Sequence, residues 1–214
     1  MKEINLQNTL PQVFVSEQIP ASDVWNAEVT FSRGTIYLVE AESGGGKSSM
    51  CSYIFGARRD YVGKILFDSR DVADISMDEW LKLRRTSLAY LPQEMSLFPQ
   101  LSAWENVQLK NRLTSHFSDR QLADFFERLG IASRRDYPAG RLSIGQQQRV
   151  AIIRSICQPF DFLLLDEPVS HLDPNNNEIA AEIILEEAKK QGAGIIATSV
   201  GNKIALPYDK ILKL

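Results

Sequence analysis

Long apolar runs are missing from this sequence: no window approaches the roughly 18 uninterrupted apolar residues of a membrane span. Met1–Leu10 holds one lysine but no apolar stretch of signal-peptide length, so the expectation is a protein made and kept in the cytosol. Cysteine is nearly absent. Only Cys51 and Cys157 occur, each in a stretch that reads as helix, which fits two small buried hydrophobes in a reducing compartment, with a redox pair as the alternative. Basic charge is not in excess, with 24 Lys and Arg against 27 Asp and Glu, and a chain that wraps nucleic acid needs a net basic surface. Nor is there an internal repeat or a low-complexity tract, which excludes solenoids and tandem arrays of one unit.

What remains is an ordinary globular composition, 44% hydrophobic and 24% charged, in a chain of 214 residues, the length of one unit with an insertion. Strands are expected at Gln12–Ser16, Glu28–Phe31 and Thr35–Glu40, separated by Pro and Gly punctuation. A helix over Lys47–Phe55 follows, then a strand at Lys64–Phe67, helical spacing at Met77–Arg84 and a strand at Ser87–Leu91. Short amphipathic helices, Trp104–Lys110 and Asp119–Leu129, mark the insertion. After a helix from Ile144 to Cys157, the run Phe162–Asp166 suits a strand buried on both faces of a parallel sheet. A helix (Asn175–Lys190) and strands at Gly194–Thr198 and Lys210–Leu214 complete an alternating α/β pattern.

The segment Ser43-Gly44-Gly45-Gly46-Lys47-Ser48-Ser49 stands between a predicted strand and a predicted helix. Backbone N–H groups surround phosphate oxygens only where side chains are absent, and a helix N-terminus adds favourable partial charge. In this Walker A pattern Lys47 would reach the β- and γ-phosphates and Ser48 would hold Mg²⁺. The pattern's first Gly is Ala41 here, the mildest replacement unless the position needs positive φ. A flexible loop without a ligand is the competing reading. Phe162–Pro168 delivers Asp166 and Glu167 to the carboxyl edge of the sheet, where open α/β folds bind ligands. Asp166 would contact Mg²⁺ and Glu167 would accept a proton from the attacking water; a solvated acidic pair is the alternative.

Leu142-Ser143-Ile144-Gly145-Gln146-Gln147-Gln148-Arg149-Val150 opens a helix with a hydroxyl and free N–H groups. With the two motifs above, in this order and spacing, the chain resembles the ABC-transporter ATPase family over nearly its whole length. That resemblance implies a RecA-like P-loop NTPase core, α/β, with an N-terminal antiparallel β portion and an inserted α-helical subdomain. Its expected limits are 1–92 and 157–214 for the core and 93–156 for the helical subdomain.

It also implies that Ser143, Gly145 and Gln146 of one copy close over ATP held by the Walker A loop of another. Ile144 stands where the signature has Gly. Leu91-Pro92-Gln93 resembles the Q-loop, with Gln93 sensing Mg²⁺ and the water. Ser170-His171-Leu172-Asp173 resembles the D-loop, with Asp173 as its acid. Phe14 is the expected adenine-stacking aromatic, placed in the N-terminal strand. Where the family carries a histidine after the strand ending at Thr198, this chain has Ser199, a shorter donor without switchable charge. Losing one such donor costs roughly 10²- to 10³-fold in rate, so slow hydrolysis is expected, and Ser199→His is expected to raise turnover.

The implied function is ATP binding and hydrolysis with Mg²⁺, powering separate transmembrane transporter subunits through a dimer with itself or a homologous ATPase subunit. The chain would sit peripherally on the inner face of the membrane, without nucleic acid. The small insertion and lack of a regulatory extension resemble ATPases of lipoprotein- or macrolide-type exporters. Two alternatives stand beside this: a nucleotide-dependent regulatory module with little hydrolysis, and a soluble ATPase of DNA repair or translation. The second is weakened by the lack of a long coiled-coil insertion or a second cassette.

Overall fold

In the computed structural model, residues 1–16 and 21–214 are described. In chain order the elements are β1 (Glu3–Pro11), β2 (Glu28–Ser32), β3 (Ile36–Glu40), α1 (Lys47–Ile54), β4 (Tyr61–Phe67), β5 (Arg70–Asp71), α2 (Met77–Thr86), β6 (Leu88–Leu91), α3 (Ala103–Asn111), α4 (Asp119–Arg128), α5 (Ile144–Ile156), β7 (Phe162–Asp166), α6 (Pro174–Gln191), β8 (Gly194–Ser199) and β9 (Lys210–Lys213). They form two sheets. One is antiparallel, ordered β2-β1-β4-β5; the other runs β6-β7-β8-β3-β9 with every neighbouring pair parallel.

The period of two along a strand divides the core. On β7, Leu163 and Leu165 face a cluster with α3 to α6, while Phe162 and Leu164 face a second cluster shared by α1, α2 and the antiparallel sheet. All five β7 residues are buried. A truncation such as Leu164→Ala therefore opens a cavity with no solvent face, a change that costs about 2–5 kcal/mol. Because β3 and β7 flank β8 in one parallel sheet, the loops after β3 and β7 emerge at the same carboxyl edge.

Four helices begin with the same device. Ser76, Ser102, Ser118 and Ser143 cap α2, α3, α4 and α5, each paired reciprocally with the Glu or Gln three residues on.

The N-terminus departs from the sequence expectation. The strand is Glu3–Pro11, and Gln12–Phe14, expected as strand, is a 3-10 turn. The register of β1 against β4 shifts between Gln7 and Leu10, with Asn8 at φ +48°. That bulge moves the buried positions from Ile4 and Leu6 to Thr9 and Pro11, so the alternation changes phase within one strand. Opposite it, Gly63 is obligatory: a Cβ there would lie 2.2 Å from the Asn8 carbonyl oxygen.

Candidate functional site

The loop after β3 wraps the N-terminus of α1. Gly44 and Gly46 hold φ of +84° and +91°, the left-handed region where glycine costs nothing. Lys47 is buried, with its ammonium 3.2 Å from the Ala41 carbonyl and 3.0 Å from that of Glu42, so it lies along the loop. Burial pushes its pKa down, opposed by Glu167 and Asp166. Ser43, Gly44, Gly46, Lys47, Ser48, Ser49, Gln93 and Glu167 together line a cavity of about 250 Å³.

Within it, the Ser48 hydroxyl donates to Gln93 Oε1 at 3.3 Å, and Gln93 Nε2 donates to Glu167 Oε2 at 3.5 Å. Glu167 Oε1 lies 3.8 Å from the Lys47 ammonium. Glu167 itself has φ +49°, a strained value for a side chain of its size, held where its N–H donates to Thr198 Oγ1. Thr198 in turn donates to Asp166 Oδ1 at 2.8 Å. Asp166 is 1% exposed and its Oδ2 has no partner, an uncompensated buried acceptor.

Among the described residues no cluster of three or more His, Cys, Asp or Glu side chains exists. Mg²⁺ does not need such a cluster, since it is held by few protein oxygens plus substrate phosphate. Ser48 Oγ, Gln93 Oε1 and the orphaned Asp166 Oδ2 are oxygens of the kind such an ion takes.

The remaining expected residues are placed elsewhere. Ser143 caps α5 in an exposed position, and Gln146 closes its capping box. Gly145 packs against the loop after β7, where a Cβ would come within 2.8 Å of the His171 carbonyl oxygen. Asp173 caps α6, accepting from Asn176 N at 3.0 Å and from Asn176 Nδ2 at 2.6 Å, which holds its carboxyl below the usual range. None of these four lines the phosphate-loop cavity. Phe14 does approach it, though from the 3-10 turn and not from a strand: its Cε2 would lie 3.2 Å from a Cβ on Gly46.

Ser199, the expected stand-in for the histidine, does not line the phosphate-loop cavity either. It is 2% exposed, its hydroxyl donates to the Asn202 carbonyl at 2.9 Å and accepts from Gly201 N at 3.0 Å. The donor expected for catalysis is spent on the turn that follows β8.

Three residues of the site were not read from the sequence. Thr198 braces the acid pair. Gln148, buried on α5, donates to the Glu167 carbonyl and Ser170 Oγ at 3.4 Å each and accepts from His171 N at 2.9 Å, tying the signature helix to the loop after β7. Trp25 donates its indole N–H to the Gly45 carbonyl at 2.9 Å. Gln148 has a signal in the Gln-rich tail of the signature; Trp25 and Thr198 have none. Cys51 and Cys157 are fully buried, and burial pushes both thiols up.

A family model described as ABC transporter matches residues 24–170, well over half the chain. The lipoprotein-releasing system ATP-binding protein LolD 1 of Rhodospirillum rubrum is 28% identical over 191 residues, covering 88% of this chain and 84% of that protein. An uncharacterised ABC transporter ATP-binding protein of Mycobacterium tuberculosis is 28% identical over 217 residues, the whole of this chain but 65% of its own length. The dimeric structure of a bacterial ABC transporter cassette superposes with a TM-score of 0.77 at 25% identity, over 92% of this chain and 87% of that one. The matched span holds the phosphate loop, the signature helix and the acid pair, and the chain belongs to the ABC transporter family, with the α/β fold of its ATP-binding cassettes.

Proposed function

We propose that the chain binds ATP with Mg²⁺, hydrolyses it, and drives separate transmembrane subunits by closing as a dimer, with residues 93–156 as its helical subdomain. The observation that carries this reading is the meeting of Lys47, Ser48, Gln93 and Glu167 around one cavity, with an unsatisfied Asp166 oxygen behind it.

The chemistry follows from the placement. Glycine N–H groups and the α1 N-terminus bind phosphate oxygens, and Lys47 leaves its two carbonyls for the β- and γ-phosphates. Bound Mg²⁺ neutralises charge on the phosphates. Gln93 orients the attacking water, and Glu167, held rigid by its strained backbone and by Thr198, accepts the proton. Ser143, Gly145 and Gln146 act on the nucleotide of a second copy or of a homologous subunit, and Asp173 lies at that contact. Phe14, beside Gly46, stacks on the base.

Among the described residues no helix is long and apolar enough to cross a membrane. Phe98 and Leu109, 53% and 46% exposed, line a cavity of about 220 Å³ with Lys110 and Arg154, and this groove receives the transmembrane partner on the cytoplasmic face. The likeness to a lipoprotein-releasing ATP-binding protein supports an exporter-type partner.

The test is Mg²⁺-dependent phosphate release by the purified chain and by Glu167→Gln. A fall of roughly 10²- to 10⁴-fold is expected from loss of a general base. Equal rates would remove Glu167 from that role.

A further inference from the structure

The phosphate loop rests on an indole. Trp25 is 4% exposed, and its Nε1 donates to the carbonyl of Gly45 at 2.9 Å. Its ring also lies against the next residue: a Cβ on Gly46 would come within 3.1 Å of Trp25 Cζ2 and 3.2 Å of Nε1. Trp25 is fixed from the other side as well. Its backbone N–H donates to Ser22 Oγ at 2.8 Å, and the Ser22–Asp23 turn is stitched to β9 by Asp23 N to the Lys213 carbonyl and Lys213 N to Asp23 Oδ2, both at 2.8 Å. Tyr53 of α1 closes the packing edge-on at 6.4 Å.

The consequence lies in the peptide unit between Gly45 and Gly46. No cis peptide is present among the described residues, and in a trans peptide the C=O and the following N–H point to opposite sides. With the Gly45 carbonyl turned back onto the indole, the Gly46 N–H is turned the other way. Gly46 lines the phosphate-loop cavity, and among the described residues its N–H has no acceptor. Two consecutive glycines leave this peptide free to rotate, so an outside anchor has something to fix.

We propose that Trp25 is a positioning residue for phosphate binding: its indole N–H holds the Gly45–Gly46 peptide with the Gly46 N–H facing the phosphates. This rests on the nucleotide-binding reading above. No side chain of the loop performs this service, and the anchor comes from a turn 20 residues earlier in the chain.

The experiment compares wild type, Trp25→Phe, and a chain in which Trp25 is replaced by 3-benzothienylalanine, which keeps the fused rings but carries sulfur in place of the N–H. ATP affinity is measured by calorimetry; inorganic tripolyphosphate and adenosine are then measured by displacement of a fluorescent ATP analogue. The expected result is an about 3- to 12-fold weaker affinity for both ATP and tripolyphosphate in both variants, the worth of one hydrogen bond, with adenosine unchanged. Wild-type ATP and tripolyphosphate affinity in the benzothienyl chain would overturn the inference and leave Trp25 as packing alone. An equal loss for adenosine would overturn it too. Should Trp25→Phe fail to fold, the benzothienyl chain decides. A wild-type chain that binds neither ATP nor tripolyphosphate removes the nucleotide-binding reading itself, an outcome distinct from the other two.

Discussion

Ser199 shows how far a single position depends on its surroundings. By its place after Thr198 it stands where a catalytic donor is expected, yet its buried hydroxyl is bonded to the Gly201 N–H and the Asn202 carbonyl of an exposed turn. Ser199→Ala removes both bonds, each worth about 0.5–1.5 kcal/mol. The expected outcome is a lower melting temperature with turnover of ATP within about threefold of wild type, since no transition-state contact is lost. A tenfold or greater fall in turnover at unchanged stability would return Ser199 to the chemistry. For the same reason Ser199→His is expected to destabilise the turn and not to raise turnover, because imidazole is larger than the space a serine fills. Asp173 is a parallel case: its carboxylate caps α6 within the chain, whatever it meets beyond it.

At the scale of elements, the helices were the legible part. Ser followed three residues later by Glu or Gln marks the starts of α2 to α5, and the reciprocal bonds are local, so no tertiary context is needed to read them. The α2 cap carries a pH signature. Arg70, then the Ser76 N–H and hydroxyl, hold the Glu79 carboxyl at about 2 against an ordinary 4.5. A folded pKa below the unfolded one adds stability that is complete above the unfolded value and is lost as pH falls through the folded value. Melting temperature measured from pH 4.5 down to 2 is therefore expected to fall less steeply in Glu79→Gln than in wild type. Because the pair is exposed, the difference shrinks in high salt. Parallel limbs in the two proteins would put the acid sensitivity elsewhere. Strand β7 was legible too, since burial on both faces makes its sequence continuously apolar. Strand β1 was not: its bulge shifts the buried phase midway, so the apolar/polar alternation is broken at Asn8 and the first strand was expected at Gln12–Ser16 instead. Trp25 was illegible for a different reason, because its contact with the phosphate loop is made by a turn whose position only the folded chain sets.

For the whole molecule, the candidate site divides into two groups that one chain does not bring together. Lys47, Ser48, Gln93 and Glu167 line the cavity; Ser143, Gly145, Gln146 and Asp173 lie outside it. Sequence order revealed the members of both groups, but not that Gly145 and Gln148 are packed onto the loop after β7, which ties the signature helix to the acid pair within the chain. If the outside group completes the site of a second copy, the interface is isologous and holds two sites, each taking its phosphate loop from one chain and its signature from the other. Mixing two inactive variants then tests the assembly. Lys47→Ala has no working phosphate loop but an intact signature, and Ser143→Arg has the reverse. In a mixed dimer one site receives Lys47 from the second variant and Ser143 from the first, so it is whole, while the other carries both defects. Random pairing makes half the dimers mixed, so an equimolar mixture is expected to recover about a quarter of wild-type ATPase activity, well above either variant alone. Activity that stays at the sum of the two separate variants would mean that each chain completes its own site, and the dimer with shared sites would have to be abandoned.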